Sequence, residues 1–293
     1  MGCLNSHGQF AHWFSNIHLS GPCNRACYWC IGQHMMALDP LNNLDTFPLK
    51  NLDLFVSELV RRNITEVNVT GSNTDPLLYK HTLQLKQYLL KYIPNLKFGI
   101  RTNGVLALPR FDIMDLYDKG SISVTTFDKD LYVKTMGMGT APPLADIVKR
   151  FAPRRLKVNV VLCPETVISG DIFNTLDVAK DAEIKVVNLR EPYGQPHIDD
   201  PCAGKLPLKG IHLGMPYYDY HGMEVTYWDV HYVEVESVNL YANGVVSTTY
   251  PVTKGHDPVA GIVKGQEKFV KSGRVSKQWL KIKEEVCCGD RNC

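Results

Sequence analysis

Residues Trp13-Phe14-Ser15-Asn16-Ile17-His18-Leu19-Ser20 lead through Gly21-Pro22 into Cys23-Asn24-Arg25-Ala26-Cys27-Tyr28-Trp29-Cys30. The first part reads as a short apolar strand, and the Gly-Pro pair breaks it into a loop. That loop carries three of the chain's 9 cysteines, at C-x3-C-x2-C spacing. The cysteine number is odd, and Met1 to Phe10 lacks the basic-then-apolar order of a secretory signal. Thiolate ligands in a reducing cytoplasm are therefore favoured over a disulfide framework. Two metal readings compete. Structural zinc wants four ligands, usually from C-x2-C pairs, and His18, His34 or Cys3 would have to supply the fourth. An iron–sulfur cluster is also held by closely spaced thiolates. Three of them on a four-iron cluster would leave one iron open to a reacting ligand.

The run C-x3-C-x-aromatic-C, with Trp29 in the aromatic place, resembles the signature of the radical S-adenosylmethionine (SAM) superfamily. The resemblance implies a 4Fe-4S cluster on Cys23, Cys27 and Cys30, with SAM chelating the fourth iron through its amino and carboxylate groups. It implies that the reduced cluster cleaves SAM to a 5′-deoxyadenosyl radical, which abstracts hydrogen from a substrate. It also implies the fold, an incomplete (β/α)6 barrel.

Outward from the cysteines, strand-like and helix-like segments alternate. Helices are expected over 49–62 (apolar at Leu52, Leu54, Phe55, Leu59 and Val60), 76–92, 111–117, 144–151 and 171–182, the last with Asp171 as N-cap. Strands are expected over 64–70, 96–101, 121–126, 156–162 and 184–189. With the first strand this makes six, and repeated βα units favour a parallel sheet with helices outside it. A doubly wound open sheet is the alternative to the partial barrel.

In a βα barrel the catalytic parts sit on loops after the strand C-termini. Thr70-Gly71-Ser72-Asn73-Thr74-Asp75-Pro76 resembles the family's Gly-Gly-Glu-Pro segment, which holds the SAM amino group. Here Ser72 replaces the second glycine, two residues are added, and Asp75 is the acid. Asp75 also reads as a helix N-cap with Pro76 at the first helical position. Thr102-Asn103 before Gly104 resembles a segment of molybdopterin-precursor-synthase-like members, and reads equally as an Asn-Gly turn. Ser123 and Thr125 occupy places where the family sets hydroxyls against the SAM ribose; they are also ordinary strand formers. Asn159 is polar in an apolar run and is expected to face the barrel lumen. Arg190 would pair with the SAM carboxylate or, as a surface ion pair, with Glu191.

The pattern changes in the last third, so the chain divides into a core over 1–210 and an extension over 211–293. Met223 to Leu240 alternates, and Asn243-Gly244 separates it from Val245 to Tyr250, a strong hairpin signal. These strands are expected to pair antiparallel and cover the open barrel edge. The long polar loop before them, with His197, Asp199, Asp200, His212, Tyr217, Tyr218, Asp219 and His221, is expected to be a substrate lid. A final helix over 265–286 puts Lys268, Lys271, Arg274, Lys277 and Lys281 on one face, either solvated or contacting phosphate. Cys287, Cys288 and Cys293 read as tail thiols, with a second cluster as the minority reading.

The chain has 293 residues, 44% of them hydrophobic and 21% charged, with a formal charge of +2. This is globular composition, without the net charge of a global nucleic-acid binder or an apolar run long enough to span a membrane. The leading expectation is a cytoplasmic radical SAM enzyme acting on a compact substrate, with flavodoxin or ferredoxin as electron donor. Rearrangement, elimination, epimerisation or carbon–carbon bond formation would follow hydrogen abstraction. Modification of a nucleotide or nucleic acid is a second enzyme reading. A non-catalytic zinc protein is the reading from another class.

Overall fold

In the computed structural model, residues 13–32, 41–152, 154–192, 197–212, 214–229 and 236–248 are described. The expected final helix and the three tail cysteines lie outside them, as do His34 and Cys3. The first six strands are β1 (Trp13–Leu19), β2 (Glu66–Gly71), β3 (Lys97–Thr102), β4 (Lys119–Val124), β5 (Arg155–Val161) and β6 (Val186–Arg190). They lie side by side in chain order, every pair parallel. A doubly wound sheet must reverse its strand order. This order never reverses, so crossovers of one hand keep the helices on one face and roll the sheet toward a barrel. The partial-barrel expectation is the one the topology fits; the sheet stays open at both edges.

The helices are α1 (Leu52–Arg61), α2 (Thr82–Tyr92), α3 (Phe111–Met114), α4 (Lys129–Met136), α5 (Leu144–Phe151), α6 (Pro164–Ile168) and α7 (Asp171–Asp181). The buried stripe of α1 is Leu52, Phe55, Val56 and Leu59, at helical spacing. It shares one core with Val67 and Val69 of β2, Leu85 and Leu89 of α2, Ile147 and Phe151 of α5, and Leu176 of α7. Each strand sends alternate residues into this core, such as Phe98 and Ile100 of β3 or Val158 and Val160 of β5.

Several expectations are corrected. Val60 is 54% exposed, because the α1 stripe runs through Val56 instead. The single helix expected over 76–92 is a 3-10 turn (Pro76–Leu78) followed by α2. Tyr79 breaks it: its backbone is extended and its buried ring sends the hydroxyl to the Thr46 carbonyl oxygen, 2.9 Å away. Gly170, with φ 75°, takes the N-cap place of α7. Asp171 instead lies buried in the first turn, where its carboxylate accepts from the hydroxyls of Thr126 and Thr175. Helices α4 and α6 were not anticipated; Asp128 caps α4 by accepting from Asp130 N and Leu131 N.

The largest correction concerns the C-terminal strands. β9 (Met223–Trp228) joins β6 in parallel, and β10 (Glu236–Leu240) joins β1 in parallel at the opposite edge. Each satisfies a strand edge that a six-stranded sheet would leave unpaired. Only β10 and β11 (Val246–Ser247) form the expected antiparallel hairpin around Asn243-Gly244. The polar segment expected as a loop contains strands too: β7 (Leu208–His212) and β8 (Met215–Tyr220) form a meander with β9. His221 (φ 52°) and Gly222 (φ 85°) make the two-residue turn from β8 to β9, both in the left-handed region that such turns require. Among the described residues, no helix is long and apolar enough to cross a membrane.

Candidate functional site

All eight parallel strands end at one rim of the sheet, and the cysteine loop follows β1 there. It is wedged between two neighbouring loops. On one side Cys30 Sγ lies 3.7 Å from the Ser72 carbonyl oxygen. A Cβ added to Gly32 would sit 1.8 Å from that same oxygen, so glycine is what allows the approach. On the other side Ala26 N donates to Met136 O at 3.1 Å, and Cys27 Sγ lies 3.6 Å from Met136 Sδ. Arg25 braces this contact, donating to Tyr132 Oη at 3.1 Å and to Thr140 O at 3.0 Å.

The thiols bear on one another. Burial pushes the Cys23 thiol up to about 11, with Asp75 and Cys30 adding to it. Burial pushes Cys27 up to about 12, and the neighbouring Cys30 and Cys23 reinforce the shift. Cys30 raises both Cys23 and Cys27, and Cys23 raises Cys27, so thiolates on this loop are disfavoured in bare protein. A bound cation removes that penalty. Sulfur donors suit the iron of a cluster or zinc, and not magnesium or calcium. The donor set thus fits a thiolate-bound metal centre. His18, one candidate for a fourth zinc ligand, has both ring nitrogens turned elsewhere, toward Ser72 Oγ and Asn239 Oδ1, each at 3.4 Å.

The structure brings part of the expected site together. Asp75 is 1% exposed, and its carboxylate accepts from Leu77 N (3.0 Å), Thr102 Oγ1 (2.7 Å) and Asn103 N (2.8 Å). It caps the 3-10 turn and ties the loop after β2 to the loop after β3. Burial pushes its carboxyl above the usual range, and these donors pull it back. Asn103 continues the chain of contacts: its Nδ2 donates to Asn24 Oδ1 at 2.7 Å, beside Cys23. Gly71 permits the turn between them, since a Cβ there would meet Thr74 O at 1.7 Å. Ser72 is buried, its side chain toward His18 and its carbonyl toward Cys30.

The other expected residues lie apart from this network. Thr125 is buried against α4, its hydroxyl 2.6 Å from that of Thr135. Ser123 is half-buried on the inner face of β4. Asn159 faces the inside as expected, where its Oδ1 accepts from Asn188 Nδ2 at 3.0 Å. Arg190, at the end of β6, lies 5.0 Å from the Trp228 ring. Glu191 turns to His197, whose Nδ1 is 2.6 Å away, and to Ile198 N at 2.9 Å.

Sequence reasoning missed Asn24 and Arg25, and of the inner face it placed Asn159 but not the rows on the other strands. A parallel strand covered on both faces reads as a nearly continuous apolar run. Here the residues facing away from the helices are Asn16 and His18 of β1, Asn68 of β2, Arg101 of β3, Ser121 of β4, Lys157 of β5 and Asn188 of β6. That alternation was visible and marks a concavity lined for polar contact.

His18 gives a pH prediction. Stacked on Tyr241 at 4.8 Å between ring centroids, it has its pKa lowered to about 3, mainly by burial and further by Arg101. The folded value lies below the unfolded one, so the unfolded chain takes up a proton that the folded chain refuses. Its contribution to stability is complete above the ordinary value of 6.5 and is lost as pH falls from there toward 3. The His18 imidazole resonances are expected to stay at neutral positions down to pH ~4.5. Titration near 6.5 would contradict this burial.

Comparison with known proteins shows no matching family model and no matching curated protein. Similar solved structures include SuiB of Streptococcus suis, with 17% identity over 64% of this chain and 41% of that one, and a TM-score of 0.46. Native anSMEcpe with bound AdoMet has 14% identity over 64% and 54%, at TM-score 0.43. Methylornithine synthase (PylB) has 13% identity over 65% and 56%, at TM-score 0.40. The chain spans about four-tenths of the length of SuiB. At this level of similarity the functional reading rests on the chain's own residues.

Proposed function

We propose that the chain is a radical SAM enzyme in which Cys23, Cys27 and Cys30 hold a 4Fe-4S cluster. One observation supports this: three cysteines at C-x3-C-x2-C spacing lie on the loop after β1, at the C-terminal rim of an open, parallel, barrel-like sheet whose inner face is polar. When bound, cluster and SAM supply a 5′-deoxyadenosyl radical that abstracts hydrogen from the substrate. The chain's own residues do the positioning. Ser72 and Met136 hold the cysteine loop from two sides. Asp75, through Thr102 and Asn103, fixes Asn24 beside Cys23, and Thr125 pins α4 behind Cys27. Gly71, Ser123, Asn159 and Arg190 remain the groups proposed to meet SAM, Arg190 at its carboxylate. The substrate is a compact molecule in the concavity, and flavodoxin or ferredoxin is the proposed reductant.

Anaerobic reconstitution of the full chain with iron and sulfide tests the metal. The proposal expects a brown protein with roughly four iron and four sulfide per chain. Colourless protein carrying one tight zinc would overturn it and favour the structural-zinc reading.

A further inference from the structure

The inner face carries more positive charge than the proposed cofactors account for. Arg101 of β3, Ser121 of β4 and Lys157 of β5 stand on one register row, Arg101 opposite Ser121 and Ser121 opposite Lys157. Their neighbours in sequence, Ile100, Ile122 and Val158, point into the helix-side core, so these three face inward. Ser121 is 3% exposed, and its hydroxyl has no hydrogen-bond partner among the described residues. Arg101 lies with its guanidinium 5.6 Å from the Phe14 ring. Among the described residues, neither Arg101 nor Lys157 has a carboxylate in ion-pair contact. Glu66, the carboxylate that bears on this row, is already paired with Lys119.

We propose that Arg101 and Lys157, with the Ser121 hydroxyl between them, bind an oxyanion of the substrate, a phosphate or carboxylate group. That the ligand is a substrate rests on the proposed function; that an anion binds here does not. Two cationic residues flank one buried, unused hydroxyl on the register row, and that hydroxyl supplies a third donor of the kind oxyanions take. An arginine cannot shed its charge, so a row of this kind without protein counter-charge is arranged for an anion from outside. The strain on Lys157 agrees: its pKa is lowered to about 8, first by burial within the walls of the concavity and then by Arg101, Arg190 and Lys119. The side chain is nonetheless open to water, as a group lining an open chamber is. Below the row, Gly99 leaves the floor without a side chain, since a Cβ there would meet Asn68 Oδ1 at 2.3 Å and Lys119 Cε at 3.1 Å.

The row also lies in the right relation to the cysteine loop. Arg101 is two residues, roughly 7 Å along the strand, below Asn103, whose side chain holds Asn24 beside Cys23. An anion seated there anchors one end of a substrate and leaves its body toward the rim. Arg190, level with Val161 and so two tiers higher, remains with the SAM carboxylate.

The test uses the full chain, first without iron, with inorganic pyrophosphate and succinate as separate calorimetric probes. Saturable binding of either is expected, weakened at least ~10-fold in Lys157→Met and in Arg101→Met and restored in Lys157→Arg. The probe that binds more tightly identifies phosphate or carboxylate. Circular dichroism and Ser121→Ala, which removes one donor and no charge, guard against a folding artefact; a smaller loss is expected there. Binding of neither probe, or equal binding by wild type and all variants, would overturn the proposal. In the reconstituted protein, probe affinity is expected to persist with saturating SAM. Displacement of the probe by SAM would assign these cations to SAM and overturn the substrate site. Failure of cluster assembly would sink the proposed function while leaving the iron-free binding result intact.

Discussion

Cys27→Ala is expected to leave a folded protein that reconstitutes without the brown chromophore and makes no 5′-deoxyadenosine above background. Cys27 is the middle ligand of the run, and its thiol sits against Met136 at the side of the loop that α4 supports. Two remaining thiolates are too few to hold a cluster that already leaves one iron to SAM. The fold should survive, because Cys27 only packs against the edge of the core rather than building it. Absorbance near the cluster bands, far-ultraviolet circular dichroism and product mass spectrometry check the three parts separately. A brown Cys27→Ala protein with undiminished SAM cleavage would remove this residue from the ligand set.

Asp75→Ala should have the largest effect on stability. The substitution strands three donors, Leu77 N, the Thr102 hydroxyl and Asn103 N, at a site that is 1% exposed. Each buried donor left without a partner costs about 1–3 kcal/mol, partly relieved by water entering the gap, so a loss of about 3–5 kcal/mol is expected. For a domain of this size that is roughly a 10 °C fall in Tm. Asn103 would lose its anchor as well, loosening Asn24 beside Cys23, so SAM affinity should fall along with stability. Asp75→Asn, which keeps the shape and one carbonyl acceptor, should lose less of both. Thermal unfolding by circular dichroism settles the first point. A Tm within 2 °C of wild type, no more than the ~1 kcal/mol of one ordinary hydrogen bond, would mean that this carboxylate does not tie the two loops.

These two residues also show how much of the molecule is legible in its sequence. The cysteine spacing was legible because metal chemistry constrains it directly: donors of one type must lie close together on a short loop. The first six strands were legible because each carries its own alternating pattern between helix signals. The fate of β9 and β10 was not. Their alternation says that one face is covered but does not name the strand they pair with, and each pairs with a strand distant in sequence. Asp75 was legible as either a cap or a ligand, and only the positions of Thr102 and Asn103 show how its oxygens are occupied. The inner row of Arg101, Ser121 and Lys157 had a visible period of two. In one strand that period also fits a surface facing water; the roll of the sheet turns it into a chamber.

The decisive measurement is 5′-deoxyadenosine formation by the anaerobically reconstituted full chain with SAM and dithionite, followed by mass spectrometry against an iron-free control. The C-x3-C-x2-C site predicts product that depends on iron, on reductant and on Cys27. A protein with a full cluster complement that yields no 5′-deoxyadenosine, or yields as much without iron, would contradict it.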